Sequence, residues 1–281
     1  MKKSTQKKIW SAIGISLWAI ITLPVNMVRD IVTFLDWIVR SLVKGTMYLF
    51  KKTTNNKHHK VEHQREGVGA IYQPFKVMHT YAGSFKEYEQ FISSDKSKIG
   101  IILGARGTGK TAIGMKILEN IYAKSKRKLY AMGFRAEDMP DWIEVIESVE
   151  EISNNSTILI DEGGVLFSSR NAMTKPNKLL SQLILIARHK NLNILFISQN
   201  SSNLDVNILR QADHLILKPT ALLQKDFERR KIRDTYEEIK DDFKKYEKQH
   251  GATYIYSEIF RGFVANPLPS FWNTNISKSF R

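Results

Sequence analysis

Cysteine is absent from the 281-residue chain. That removes disulfides, thiolate nucleophiles and cysteine-based metal sites. Acidic residues are in short supply: 28 Asp and Glu stand against 43 Lys and Arg, a formal charge of +15. Such an excess implies an anionic partner, either nucleic acid or an acidic membrane surface. The deficit is also local, since no Asp or Glu occurs from Gly163 to Leu204 while Arg170, Lys175, Lys178, Arg188 and Lys190 all do. A hydrophobic content of 42% with 25% charged residues excludes a disordered polyelectrolyte and fits an α/β domain with an appendage.

The appendage is N-terminal. No formal charge interrupts residues 9–28, which are rich in Ile, Leu and Trp and follow Lys2, Lys3, Lys7 and Lys8. The run is long enough to span a hydrocarbon core of about 30 Å, and no small-residue cleavage site follows it, so a retained anchor is expected. Over 31–50 the apolar residues alternate with Asp36, Arg40 and Lys44. Charges at helix centre cost about 2.5–3.5 kcal/mol each on insertion, so an amphipathic interfacial helix is the more economical expectation. Residues 51–66 have no hydrophobic period and read as a basic linker. The expected organisation is an anchor over 1–50, a linker over 51–66, a core over 67–220, and a helix with an aromatic-rich tail over 221–281. The core is expected on the cytoplasmic side of the membrane.

The core opens on the chain's most specific string. Residues 104–111 read Gly-Ala-Arg-Gly-Thr-Gly-Lys-Thr, directly behind the apolar run 99–103 and ahead of helically spaced Ile113, Ile117, Leu118 and Ile121. Strand, Gly-rich loop and helix in that order cradle the phosphates of a nucleotide with backbone N–H groups and the positive end of the helix. The binding residues are Gly104, Ala105, Arg106, Gly107, Thr108, Gly109, Lys110 and Thr111. Lys110 reaches the β- and γ-phosphates, and the Thr111 hydroxyl takes a place on Mg²⁺. ATP and Mg²⁺ are the expected ligands.

A second apolar strand, Ile158 to Ile160, delivers Asp161 and Glu162 at its C-terminal end, where open α/β sheets place ligands. Asp161 is expected to hold Mg²⁺ through water and Glu162 to polarise an attacking water. A third strand, Leu192 to Ser198, ends at Gln199, whose amide can orient water or sense the γ-phosphate. A further strand is expected from His214 to Leu217.

These three segments, including Ala-Arg-His-Lys-Asn-Leu-Asn-Ile-Leu-Phe-Ile-Ser-Gln before and through the third strand, resemble the additional-strand P-loop ATPases over about 98–220. Within them the chain looks most like the HerA–FtsK branch, which includes DNA pumps, viral packaging ATPases and zonular-occludens-toxin-like phage assembly proteins. The resemblance implies a RecA-like fold with a mostly parallel central sheet and one strand inserted between the strand before the phosphate loop (Walker A) and the strand that ends at Asp161 (Walker B). It also implies a homo-oligomer, commonly a hexameric ring, with an arginine finger at Arg188; Arg210 and Arg170 compete for that role. The N-terminal position of the apolar run departs from the toxin-like pattern, in which the span follows the ATPase domain.

Polar small residues and spaced cations from Ser168 to Lys178 suit a loop that tracks a phosphate backbone, so Arg170, Lys175 and Lys178 are the expected DNA grip. The apolar spacing over 222–249 predicts an amphipathic helix. The aromatic stretch 254–271 is expected to pack on the core or on a neighbouring subunit. The motor reading is an ATPase that moves DNA for a virus or mobile element. Its alternative is an ATP-driven membrane assembly or secretion component acting on protein.

Overall fold

The computed structural model describes residues 34–41, 67–163 and 176–277. Residues 34–41 belong to a separate N-terminal unit and are helical. An exposed Asp36–Arg40 pair one turn apart (2.7 Å) braces this segment, and Phe34 stacks on Trp37. The predicted span 9–28, the linker 51–66 and most of the amphipathic segment 31–50 lie outside the described residues. Among the described residues no helix is long and apolar enough to cross a membrane.

The second unit is built on one nine-stranded sheet. Its strands are β1 (Lys76–Gly83), β2 (Lys98–Leu103), β3 (Lys128–Met132), β4 (Ile143–Val145), β5 (Ser156–Asp161), β6 (Asn193–Ile197), β7 (His214–Leu217), β8 (Ala252–Ser257) and β9 (Phe260–Ala265), in the order β1-β9-β8-β7-β2-β6-β5-β3-β4. From β7 to β4 the neighbours run parallel; β7–β8, β8–β9 and β9–β1 are antiparallel. The central strands are apolar on both faces, as parallel strands covered by helices must be: all six residues of β2 are buried. The expected insertion is present, since β6 lies between β2 and β5.

One face of the sheet carries α1 (Phe85–Ser93) and α2 (Lys110–Ser125) over a core of Ile102, Ile113, Leu118, Leu159, Ile197 and Ile216. The other is packed by α3 (Pro176–Lys190), α4 (Val206–Arg210), α6 (Arg230–Glu238) and α7 (Lys240–Lys245), with the short α5 (Leu222–Asp226) preceding α6. Register makes the strand ends level. Ile102 and Asp161 both pair with Ile197, and Leu103 pairs with Leu217, so four strands open onto one edge.

The structure departs from expectation beyond residue 220. The predicted helix over 222–249 is three helices, because tertiary hydrogen bonds capture the chain between α5 and α6. Glu228 accepts from the Ser201 N–H (2.7 Å) and from the Ser201 hydroxyl, and the Arg229 N–H donates to Ser201 Oγ (2.9 Å). These contacts hold Arg229 extended (ψ 143°) and override the amphipathic period. The aromatic stretch is not a tail laid over the core but part of the sheet. Tyr254 and Phe263 face α6 and α7, whereas Ile255, Phe260 and Val264 face α1 and α2, which is strand alternation.

Candidate nucleotide site

The loop after β2 has the backbone its glycines predict. Gly104, Gly107 and Gly109 have φ of 149°, 80° and 89°. Gly109 is the left-handed N-cap of α2 and offers no side chain, so no side-chain bond closes off the N–H groups of the first turn. At Gly104 the constraint is space as well as dihedral: a Cβ there would sit 2.6 Å from Lys218 Cβ. The loop is tied to the end of β7 by Ala105 N–H donating to Pro219 O (2.9 Å) and closed on itself by Thr108 Oγ1 donating to Ala105 O (2.7 Å).

Lys110 is buried and its ammonium donates to Gly104 O (2.9 Å) and Ala105 O (2.8 Å), inside the curve of the loop. Burial pulls its pKa below the ordinary lysine value, while Asp161 and Glu162 oppose that shift by their charge. Thr111 Oγ1 lies 3.4 Å from Asp161 Oδ2, and the other Asp161 oxygen accepts from the Gly163 N–H (3.1 Å). Glu162 is held by Ser198, whose hydroxyl donates to Oε2 at 2.5 Å across the gap between β5 and β6. Gln199 follows directly, its carbonyl taken by the Gln224 side-chain N–H of α5.

The residues fit the expected ligands. Uncapped N–H groups at the start of α2 and an inward ammonium match phosphate oxygens. Thr111 and Asp161 offer the hard oxygen donors that Mg²⁺ takes together with phosphate. Among the described residues no group of three or more His, Asp or Glu could hold a metal without such help.

Lys110, Thr111, Asp161 and Glu162 therefore meet at one edge of the sheet, and Gln199 follows β6 at that same edge. Arg188 does not join them. It is exposed in the last turn of α3, beside the start of β5, where the Asn155 N–H donates to Lys190 O (2.7 Å). Arg210, in the last turn of α4, lies at that same far edge, next to the start of β7. A strand of five residues places them about 15 Å from their own phosphate loop. Each could serve only a neighbour's site. Of the grip, Lys178 is exposed in the first turn of α3; Arg170 and Lys175 lie outside the described residues.

Two site residues escaped the sequence reading. Ser198 was passed over for the amide beside it, although it directly follows β6, whose last residue Ile197 is level with Asp161. Lys218 directly follows β7 and is buried; burial pushes its pKa down to about 7, and its ammonium donates to Gly251 O (3.1 Å), Ala252 O (3.3 Å) and Asn266 Oδ1 (2.8 Å). A polar residue at the end of a buried strand was the available signal for both.

The family model described as Zonular occludens toxin (Zot) matches residues 98–255, from β2 into β8. The chain belongs to the zonular occludens toxin family. The match covers more than half of this Zot-family chain and takes in every site residue above. No curated protein matches it. Among solved structures it is similar to B204, the DNA-packaging ATPase of Sulfolobus Turreted Icosahedral Virus (15% identity, 62% of this chain and 100% of that one, TM-score 0.41). It is also similar to the N-terminal domain of zonular occludens toxin from Neisseria meningitidis (13%, 66% and 100%, TM-score 0.34). The pCW3 conjugation coupling protein TcpA is a third (14%, 64% and 62%, TM-score 0.43).

Proposed function

We propose that this Zot-family chain is an ATP-hydrolysing motor, held at a membrane by residues 9–28 with its ATPase domain in the cytoplasm, and that it works as a homo-oligomeric ring moving DNA. The observation that carries the hydrolytic part is Glu162, fixed by Ser198 next to Asp161 and facing the Lys110 loop. Lys110 and the α2 N–H groups hold the β- and γ-phosphates. Thr111 and Asp161 would hold Mg²⁺, which when bound neutralises charge on those phosphates. Glu162 accepts a proton from water as the water oxygen bonds to the γ-phosphorus and the β–γ bridging P–O bond breaks, releasing ADP and phosphate. Gln199 orients that water. The far-edge position of Arg188 supports a finger acting between subunits.

DNA as cargo is supported by the +15 charge and by the acid-free stretch with Arg170, Lys175 and Lys178. Family membership favours a second reading, an assembly or secretion component that handles protein. The test is ATPase turnover of the full chain with and without single- and double-stranded DNA at low salt. Stimulation lost on changing Arg170, Lys175 and Lys178 to Ala supports the DNA motor. Turnover indifferent to DNA, with no binding, selects the protein-handling reading.

A further inference from the structure

Charge is segregated across the sheet. Residues 136–153 hold seven acids and no Lys or Arg, a quarter of the chain's 28 acids in a strongly basic protein. They surround β4, the edge strand, which among the described residues pairs only with β3. Glu144, Glu147 and Glu150 are all exposed; Glu144 has a surface partner in Lys128 (3.2 Å), and Glu150 is held below the usual carboxylate range by the Ser198-like hydroxyl of its own turn, Ser148.

Toward the opposite end of the same sheet a groove runs between α4, the start of α6 and the β8–β9 turn. Arg210, Arg229, Lys231 and Arg261 line it, against the acids Asp213 and Glu258. One of those acids is engaged, since Asp213 accepts from the Ile99 N–H at 2.7 Å. Arg229 is braced by the Ser201 and Leu204 carbonyls, and Arg261 lies over the Tyr256 ring (4.7 Å). Between the cations the floor is apolar, with Leu209, Leu215 and Ile259, and Val206 is 40% exposed beside it. A cationic rim around an apolar floor suits an acidic protein surface that carries some apolar area. The β4 edge has that composition: Trp142, Val145 and Val149 are only partly buried among its acids.

We propose that the acidic β4 edge of one copy docks into the cationic β7–β8 groove of the next, joining copies of this chain head to tail. A contact between two different patches on opposite ends of one sheet is heterologous, so it closes into a ring when the rotation allows. Because the contact joins patches of opposite charge, association is salt-sensitive. The inference deepens the proposed oligomeric motor and rests on it.

The test is charge reversal on the full chain in mild detergent, with mass read by sedimentation in the presence of ATP. One variant changes Glu144, Glu147 and Glu150 to Lys; the other changes Arg210, Lys231 and Arg261 to Glu. All six positions are exposed, and unchanged melting temperatures confirm the fold. Each variant alone should associate about tenfold or more weakly than the wild type, and a mixture of the two should recover association, since the native groove of one meets the native edge of the other and the two reversed patches complement each other as well. Wild-type association by either variant overturns the contact while leaving the motor reading intact. A wild type that stays monomeric overturns both. Loss of DNA binding in the groove variant with association unchanged reassigns the groove to nucleic acid and overturns the docking.

Discussion

Ser198 sets the position of the proposed base, and its removal has a calculable consequence. The hydroxyl reaches Glu162 Oε2 at 2.5 Å, in the range of charge-assisted O–H···O⁻ bonds, and also lies 3.0 Å from Asn200 O. Hydrogen bonds to charged groups contribute about 1.5–3 kcal/mol. If that interaction serves to hold the carboxylate in its hydrolytic orientation, Ser198→Ala lowers kcat by about ten- to a hundredfold, at 1.4 kcal/mol per factor of ten. KM for ATP should stay within about twofold, because phosphate binding rests on Lys110 and the loop N–H groups, which Ser198 does not touch. Steady-state phosphate release is the assay, with Ser198→Thr restoring most of the loss. Combined with Glu162→Gln, Ser198→Ala should cost nothing further, since the group it positions is already gone. Wild-type kcat in Ser198→Ala, or a full additional loss on top of Glu162→Gln, would refute the positioning role.

Three further outcomes follow from the packing. The Lys116–Glu119 pair of α2 is fully buried at 2.7 Å, and Glu119 also binds the Ile71 N–H (3.0 Å) and the Ser270 N–H and hydroxyl. Glu119→Ala leaves Lys116 buried without its counter-charge and should cost about 3–5 kcal/mol in chemical unfolding, whereas Lys116→Met with Glu119→Leu should cost less. Gly104→Ala meets Lys218 Cβ at 2.6 Å with φ at 149°, so ATP affinity by calorimetric titration should fall about tenfold or more. His214 is buried, neither ring nitrogen has a hydrogen-bond partner among the described residues, and burial, aided by the Lys98 charge, pushes its pKa down to about 3. Its folded value lies below its unfolded one, so the unfolded chain takes up the proton first. Stability is then lost as pH falls from about 6.5 toward 3, at up to about 1.4 kcal/mol per unit. His214→Leu should flatten a plot of melting temperature against pH in that window, and an unchanged slope would contradict the assignment.

The central sheet and the phosphate loop were legible because their signals are local. A Gly-rich loop between an apolar strand and a helical period specifies its own backbone, and buried parallel strands show as unbroken apolar runs at 99–103, 158–160 and 194–197. The inserted position of β6 came from family resemblance, since strand order is a non-local property that no spacing encodes. The antiparallel extension was missed for two physical reasons. β8 and β9 are buried on both faces apart from Arg261 and the half-buried Tyr256, so no alternation of apolar and polar residues marks them, and β1 pairs with β9 across nearly the whole unit. The break between α5 and α6 was invisible because Glu228 and Arg229 are ordinary helix formers, recruited by a serine loop some twenty-five residues earlier. Asp161 and Glu162 were found by their place at a strand end. Ser198 and Lys218 occupy equivalent places, but a serine and a lysine there carry no motif.

The central claim is that Glu162 is the hydrolytic base of a nucleotide site built on Lys110. Its most direct measurement is ATP turnover beside ATP binding in Glu162→Gln. The variant should bind ATP with an affinity close to that of the wild type and lose at least about a hundredfold in turnover, the scale of a general base. Turnover within a few-fold of the wild type, with binding intact, would contradict the account.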